Sequence, residues 1–410
     1  MPIARILAIG DELILGRTVD SNSAHIAQRL TDAGLTVDYA RTVGDGETAI
    51  VQALRSASRG ADLVLCSGGL GPTEDDRTRH ALARAMRSPL VERPAAWRHI
   101  CRCYAQFRPG APVPEVNRRQ ALFPASAEML ANDRGTALGL LGRVGSCWVA
   151  CVPGVPHEMQ AMVERLLKRL PRLVPGLRVP TVGELWFAGL GESAAQERIP
   201  GLLSERNPLV GITVSELGHT TLRAVGTPGQ VRKRLAELRA ALAPWLLPRA
   251  GLGPSLVHEL AAAKATIACA ESCTAGHTAA QLLAVPGASA VLRESLIAYH
   301  AEVKTARLGV PATLIRQHGV VSEAVARAMA EGMRRAAGAT IGVATTGLAG
   351  PDGGTAELPV GTVWVAAATA TQTTARKVRL RGSRTRVQQR AAAEALYQAW
   401  SLWTAGFSPR

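Results

Sequence analysis

ADLVLCSGGLGPTEDDRT, residues 61–78, sets the fold of the first part of the chain. Ala61 to Cys66, apolar apart from Asp62, is of strand length, as expected of a strand buried on both faces of a parallel sheet. It stops at Ser67-Gly68-Gly69, and after Leu70 comes Gly71-Pro72-Thr73. Glycines let a backbone approach a ligand closely. Pro72-Thr73 reads as the opening of a helix whose exposed N–H groups attract phosphate. Asp75 and Asp76 then fall in its first turn. Two readings stand side by side. Carboxylates suit a helix N-terminus electrostatically, and one of them can hold a divalent cation that bridges to a diphosphate.

Upstream, strand and helix patterns alternate. Ile6 to Ile9 is a short apolar run ending at Gly10. Ser21 caps a helix with apolar positions Ala24, Ile26, Ala27 and Leu30, stopping at Gly34. Val37 to Val43 alternates as a strand, and Glu47 to Arg59 is a second amphipathic helix. This βαβαβ order predicts an α/β fold: a parallel sheet with helices on both faces and ligands beyond the carboxyl ends of its strands. Three loops fall there: Gly10 to Asp20, Gly44-Asp45-Gly46, and Ser67 to Asp76. GDELILGRT (10–18) is not a phosphate-binding P-loop. It has five residues between the glycines instead of four, and Arg17 stands where the lysine belongs. No G-x-G-x-x-G follows the first strand.

Three segments are expected: 1–170, 171–251 and 252–410. Pro171, Pro175 and Pro180 mark the first linker. Leu185 to Ala188, Val210 to Ser215 and Thr221 to Val225 read as strands, and Gln230 to Leu246 as a helix, giving a small α+β module. The third segment starts with a helix, Ser255 to Lys264. Strands follow at Thr266 to Ala270, Ser295 to Tyr299, Thr340 to Thr345, Gly361 to Ala368 and Arg376 to Leu380, and a helix, Val387 to Trp403, closes it.

AESCTAG (270–276) puts Ser272 at a strand-to-helix turn. A serine there is commonly a helix cap. The alternative is a nucleophile, with the N–H groups after it forming an oxyanion hole. SLIAYHAEVK (295–304) supplies Tyr299 at a strand end and Lys304 in the next helix. Lys304 is one of only five lysines in a chain that otherwise uses arginine. A buried lysine can lose its proton and act as a base, and arginine cannot. Cys273 is the rival nucleophile, because a thiol at a helix start can be acidified. TTGLAGPDGGTAELPVGTV (345–363) is a long glycine-rich loop between two strands, read either as a phosphate-binding loop or as a hairpin tip.

Composition narrows the function classes. Hydrophobic residues at 47% and charged residues at 19% exclude a disordered chain. No apolar run spans a bilayer and no signal-peptide pattern opens the chain, so a cytoplasmic protein without membrane association is expected. Seven cysteines, an odd number with no C-x-x-C pair, exclude a disulfide framework and a zinc finger. The formal charge of +15 comes mostly from arginines scattered without blocks, and only four Phe and four Tyr are available for stacking. Nucleic acid is therefore not expected as a partner. A homodimer is expected, because the first domain needs edge coverage.

GDELILGRTVDSNS (10–23), Gly44-Asp45, SGGLGPTEDD (67–76), NDRGTALG (132–139) and VPGVPHEM (152–159) together resemble the molybdopterin-binding-like domain of the CinA (competence/damage-inducible) family. GLGES (189–193) and NPLVGITVSELG (207–218) resemble that family's small KH-like module, although no G-x-x-G loop with basic flanks is present. AESCTAG, VPGASAV (285–291), SLIAYHAEVK and TTGLAGPDGGT resemble its C-terminal domain, a nicotinamide mononucleotide deamidase. For the first segment, the resemblance implies a divalent-metal-dependent ADP-ribose pyrophosphatase. It assigns Gly10, Asp11, Glu12, Asn22, Asp45, Ser67, Gly68, Gly69, Gly71 and Thr73 to substrate, and Asp20 and Asp75 to the metal. Leu138 stands where relatives carry proline. For the third segment, it implies a cofactor-free amidase. Ser272 is the nucleophile, Lys304 the base and Tyr299 the residue that orients or assists them. Glu271, Thr274, Ser289, Thr346, Gly347 and Gly350 bind substrate, and Arg384 or Arg386 pairs the phosphate. The alternative is a non-catalytic nucleotide- or molybdopterin-binding adaptor in competence or DNA repair.

Overall fold

A computed structural model describes residues 2–201, 204 and 207–406. The chain forms two compact units, Met1–Thr181 and Val182–Arg410.

In the first unit, β1 (Ile3–Ile9) leads through a one-turn helix α1 (Asp11–Ile14) into α2 (Ser21–Asp32). Then come β2 (Thr36–Val43), α3 (Glu47–Ala57), β3 (Leu63–Ser67) and α4 (Thr78–Met86). A small hairpin pairs β4 (Leu90–Glu92) with β5 (Leu122–Pro124) around α5 (Pro94–Phe107). β6 (Glu128–Leu130), β7 (Gly139–Val144), β8 (Cys147–Val152) and α6 (Pro156–Leu173) complete the unit. The six-stranded sheet runs β2-β1-β3-β8-β7-β6. The expected parallel part is present in β2, β1, β3 and β8, and β7 and β6 extend it antiparallel. All five residues of β3 are buried. Alternate residues feed separate cores: Val64 and Cys66 face α3 and α4, while Leu63 and Leu65 face α2 and α6.

Three expectations are corrected here. No helix opens at Pro72; residues 71–77 form a turn and α4 begins at Thr78. The N-cap of α2 is Asp20, whose carboxylate accepts the Ser23 N–H at 2.9 Å, and not Ser21. Pro171 is no linker: it lies in the last turn of α6, where few N–H groups downstream depend on it.

The second unit holds two sheets. β9 (Thr181–Phe187), α7 (Glu192–Arg198), β10 (Leu209–Val214), β11 (Thr220–Gly226), α8 (Pro228–Leu242) and β12 (Leu246–Leu247) build a four-stranded sheet of order β10-β11-β9-β12. The next elements are α9 (Leu252–Ala262), β13 (Ile267–Glu271), α10 (His277–Leu283), β14 (Leu292–Ile297), α11 (Ala301–Leu308), α12 (Ala312–His318) and α13 (Glu323–Ala336). β15 (Ile341–Gly347), β16 (Thr362–Ala368), β17 (Thr373–Arg379) and α14 (Arg384–Gly406) follow. The five-stranded sheet runs β14-β13-β15-β16-β17, with β14, β13 and β15 parallel and the last two strands antiparallel. One face carries alanines (Ala268, Ala270, Ala344, Ala366, Ala368) beneath α13, and the opposite face carries larger residues beneath α9 and α14. Gly342 sits under α13, where a Cβ would fall 2.1 Å from the Ala330 carbonyl. The close helix therefore requires glycine. The parallel strands β13 and β15 end at Glu271 and Gly347, and the pocket described next opens there.

Candidate functional site

Ser272 leaves β13 with its backbone held: its N–H donates to the Thr345 hydroxyl at 3.3 Å, and that hydroxyl is 2.7 Å from the Thr274 hydroxyl. Lys304 comes from α11. Its Nζ donates to Ser272 Oγ at 3.1 Å, to the Ala298 carbonyl at 2.6 Å and to the Tyr299 carbonyl at 3.0 Å. The lysine is 1% exposed, and among the described residues no carboxylate bonds its amine. Burial lowers its pKa from 10.5 to about 8. Cys273, the rival nucleophile, is 4% exposed, and burial pushes its thiol up to about 12. Cys273 also lines the pocket below, but burial of its thiol weakens it as a nucleophile relative to Ser272.

A pocket of about 180 Å³ opens over this pair. Tyr299, Thr346, Gly347, Gly350 and Arg384 line it with Ser272 and Lys304. Arg384 donates to the Gly350 carbonyl at 2.6 Å and to the Tyr299 hydroxyl at 3.4 Å. Asp352, which the sequence reading passed over, also lines the pocket. Tyr299 serves the pair through its main-chain carbonyl, while its ring is 54% exposed and turned to Arg384.

Four assigned residues do not reach the pocket. Glu271 is 1% exposed, and its carboxylate accepts the N–H groups of Gly276, Thr278 and Ala279 at 2.9–3.0 Å and the Ser295 hydroxyl at 3.2 Å. It fastens the start of α10. Thr274 is fully buried against Thr345. Ser289 is exposed in a single turn after α10. Arg386 lies around α14 from Arg384 and pairs with Glu216 at 3.0 Å. The expected run of free N–H groups is also reduced, because Ala275, Gly276 and His277 donate to Ser272 O, Glu271 and Thr274 O.

In the first unit a cavity of about 510 Å³ lies beyond the carboxyl ends of β1, β3 and β8. Gly10, Glu12, Asp20, Asn22, Asp45, Ser67, Gly68, Gly69, Gly71 and Asp75 line it. Asn22 donates to Ser67 Oγ at 3.0 Å and to the Gly154 carbonyl at 2.7 Å. The Asp45 carboxyl is raised, first by burial and then by the charges of Asp11, Glu12 and Asp75. Gly68 has φ +111, and a Cβ would fall 2.1 Å from the Ile9 carbonyl. Its glycine requirement thus arises from β1 and not from a ligand.

Two assigned residues are engaged elsewhere. Asp11 faces Asp45: its N–H donates to the Asp45 carboxylate at 2.9 Å, and its own carboxylate accepts the Asp45 N–H at 3.1 Å. Thr73 points to Asp76, which takes its N–H at 2.9 Å, its hydroxyl at 2.5 Å and the Gly71 N–H at 2.7 Å. Those amides are not free for phosphate. Arg79, missed in the sequence, is 1% exposed and donates to the carbonyls of Leu70 at 2.8 Å and Gly71 at 3.3 Å. Burial brings its pKa down to about 10. Its position three residues before Leu82, on the apolar side of α4, was the available signal.

Among the described residues no three His, Cys, Asp or Glu side chains group as a metal cage, and no helix is long and apolar enough to cross a membrane.

Residues 251–402 match the family model "CinA C-terminal domain", and residues 5–173 match "Probable molybdopterin binding domain". A CinA-like protein of Citrifermentans bemidjiense is 40% identical over 93% of this chain and 93% of its own length. One from Anaeromyxobacter sp. is 39% identical over 97% and 98%. The solved structure of the protein CinA from Thermoplasma acidophilum is 36% identical, covers 41% of this chain and 97% of its own, and superposes with a TM-score of 0.39.

Proposed function

Because the chain belongs to the CinA family, with a molybdopterin-binding-like domain at its N-terminal end, we propose that its second unit hydrolyses the carboxamide of nicotinamide mononucleotide, giving nicotinate mononucleotide and ammonia. The observation that carries this reading is the 3.1 Å approach of an unpaired, buried Lys304 amine to Ser272 Oγ. As an uncharged amine, Lys304 keeps two N–H bonds to the carbonyls of Ala298 and Tyr299. Its lone pair is then left for the serine proton. Ser272 Oγ attacks the amide carbon, and the proton held on Lys304 passes to the departing nitrogen. Water then opens the ester by the same relay in reverse. An N–H of the turn after Ser272 receives the oxyanion. Arg384 takes the 5′-phosphate at the pocket mouth. The test is ammonia release by the full chain across a panel of nucleotide amides. Release from nicotinamide mononucleotide is expected; release from none of the panel overturns the reading.

A second activity is favoured by the carboxylates around the cavity of the first unit. We read that cavity as a site that cleaves a diphosphate such as ADP-ribose. A divalent cation fits it by the chemistry of its oxygen donors, because the carboxylates of Glu12, Asp20, Asp45 and Asp75 line the cavity. Magnesium also needs only one or two carboxylates when substrate phosphates complete its shell. Asp45 and Asp75 would hold the ion, and Asp20 is committed through one oxygen to capping α2. When bound, it supplies neutralisation of the diphosphate charge. Asn22 and Ser67 orient the substrate edge. Metal-dependent release of AMP from ADP-ribose tests this site; the absence of any such release with added magnesium or manganese overturns it.

A further inference from the structure

The GLGES turn and Arg386 lie outside both pockets, yet they meet in a third cavity, of about 500 Å³, inside the unit Val182–Arg410. One wall is α14. Arg386, Arg390, Ala393 and Tyr397 recur every three or four residues and line the cavity, so they share one helix face. Arg384, two residues before Arg386 and about 200° around the helix, turns instead to Gly350 and Tyr299. The opposite wall is the Gly189–Gly191 turn with Ser215 and Glu216 after β10. Gly189 has φ +81, and a Cβ there would fall 1.9 Å from the Tyr397 hydroxyl. Glycine there lets the Tyr397 ring lie directly against the turn, which joins the two walls.

Three arginines, Arg376, Arg386 and Arg390, and two carboxylates, Glu216 and Glu394, line the cavity, which leaves an excess of positive charge. Arg376 pairs with Glu394 and lies over the Tyr397 ring at 5.4 Å. Arg386 pairs with Glu216, but those side chains are 52% and 59% exposed, and such a pair contributes little. Arg390 has no carboxylate partner among the described residues and points along the same face. Arginines at i and i+4 stand about 5–6 Å apart at Cβ, a spacing that lets both guanidiniums take one phosphate with paired N–H donors. The volume is that of a small-molecule site. We propose that this cavity binds a phosphate monoester of mononucleotide size, its phosphate held by Arg386 and Arg390 and its ring system against Tyr397 and the Gly189–Gly191 backbone.

Hydrogen exchange of the full chain, with adenosine monophosphate, adenosine or inorganic phosphate added, reads this site by location and so separately from the other two pockets. The monophosphate is expected to slow exchange across residues 189–191 and 214–219, and adenosine to leave it unchanged. In the double variant Arg386→Glu/Arg390→Glu the concentration needed is expected to rise at least tenfold. No slowing in the unaltered chain overturns the proposal, and so does slowing within twofold of normal in the double variant. Equal slowing by inorganic phosphate alone reassigns the cavity to a free anion and overturns the mononucleotide. The adenosine and phosphate arms do not depend on how the variant folds.

Discussion

The amine of Lys304 approaches the Ser272 hydroxyl to 3.1 Å, while the acidic side chain next to that serine, Glu271, is occupied by four other donors. Among the described residues no carboxylate pairs with the lysine to hold its proton. With its pKa lowered to about 8, the base form is the minority at pH 7 and the majority above pH 8. Deamidase kcat/KM is expected to rise about tenfold per pH unit below that point and to level off above it. A profile flat from pH 6 to 9 contradicts a lysine base.

The same shift acts on stability. The unfolded chain binds the lysine proton up to pH 10.5 and the folded chain releases it near 8. Between these values the unfolded state carries more protons, so stability rises with pH. The slope is at most about 1.4 kcal/mol per unit and the total about 3 kcal/mol. Lys304→Met abolishes this dependence along with ammonia release. Urea unfolding of both proteins at pH 7.5, 9 and 10 is expected to show the unaltered chain gaining on the variant. Parallel stabilities at all three pH values exclude a neutral buried lysine.

Ser272 and Cys273 are adjacent in sequence but differ in environment. Both residues line the pocket, but the hydroxyl lies beside an amine, while the thiol packs into the core and burial pushes it up to about 12. Cys273→Ala is expected to keep ammonia release within about threefold while losing some stability to the cavity it leaves. Ser272→Ala is expected to lose on the order of 10³-fold or more. The reverse ranking in an ammonia assay moves the nucleophile to the thiol.

The alternation of strands and helices in the first βαβαβ stretch is legible because local pattern determines it, whereas the order of strands across each sheet is set by long-range pairing. Leu63 to Cys66 is apolar throughout since β3 is covered on both faces, and Lys304 stands out in a chain that otherwise uses arginine. The roles of polar residues inside the loops were less legible. Asp76, Arg79 and Thr345 act through contacts with main chain that only the folded turn brings near. Glu271, adjacent to the serine, reads as a substrate contact until α10 is seen to start over it. Arg384 and Arg386 cannot be separated by composition; the rotation of α14 between them separates them.

Asp76 fastens the turn that lines the first cavity by accepting the Gly71 and Thr73 amides and the Thr73 hydroxyl. Hydrogen bonds to a charged acceptor contribute about 1.5–3 kcal/mol. Asp76→Ala is expected to lower stability by about 2 kcal/mol and to weaken ADP-ribose binding at least fivefold, measured by calorimetry. Ammonia release should be unaffected. Unchanged ADP-ribose affinity removes this turn from the binding surface.

Glu271 provides the sharpest separation between holding the site and touching substrate. Its two oxygens replace the missing helical acceptors for Gly276, Thr278 and Ala279, and they also accept the Ser295 hydroxyl from β14. Helix starts leave such amides unsatisfied, and burial makes that costly. Glu271→Gln keeps one carbonyl oxygen and points an NH₂ group at amide donors, so it both removes acceptors and adds a clash of donors. A loss of about 2–3 kcal/mol is expected, read as a lower urea midpoint. At a temperature where the variant is still folded, KM for the nucleotide should stay within twofold, because no atom of the side chain faces the pocket. A KM raised tenfold at unchanged stability would return Glu271 to the substrate-binding residues.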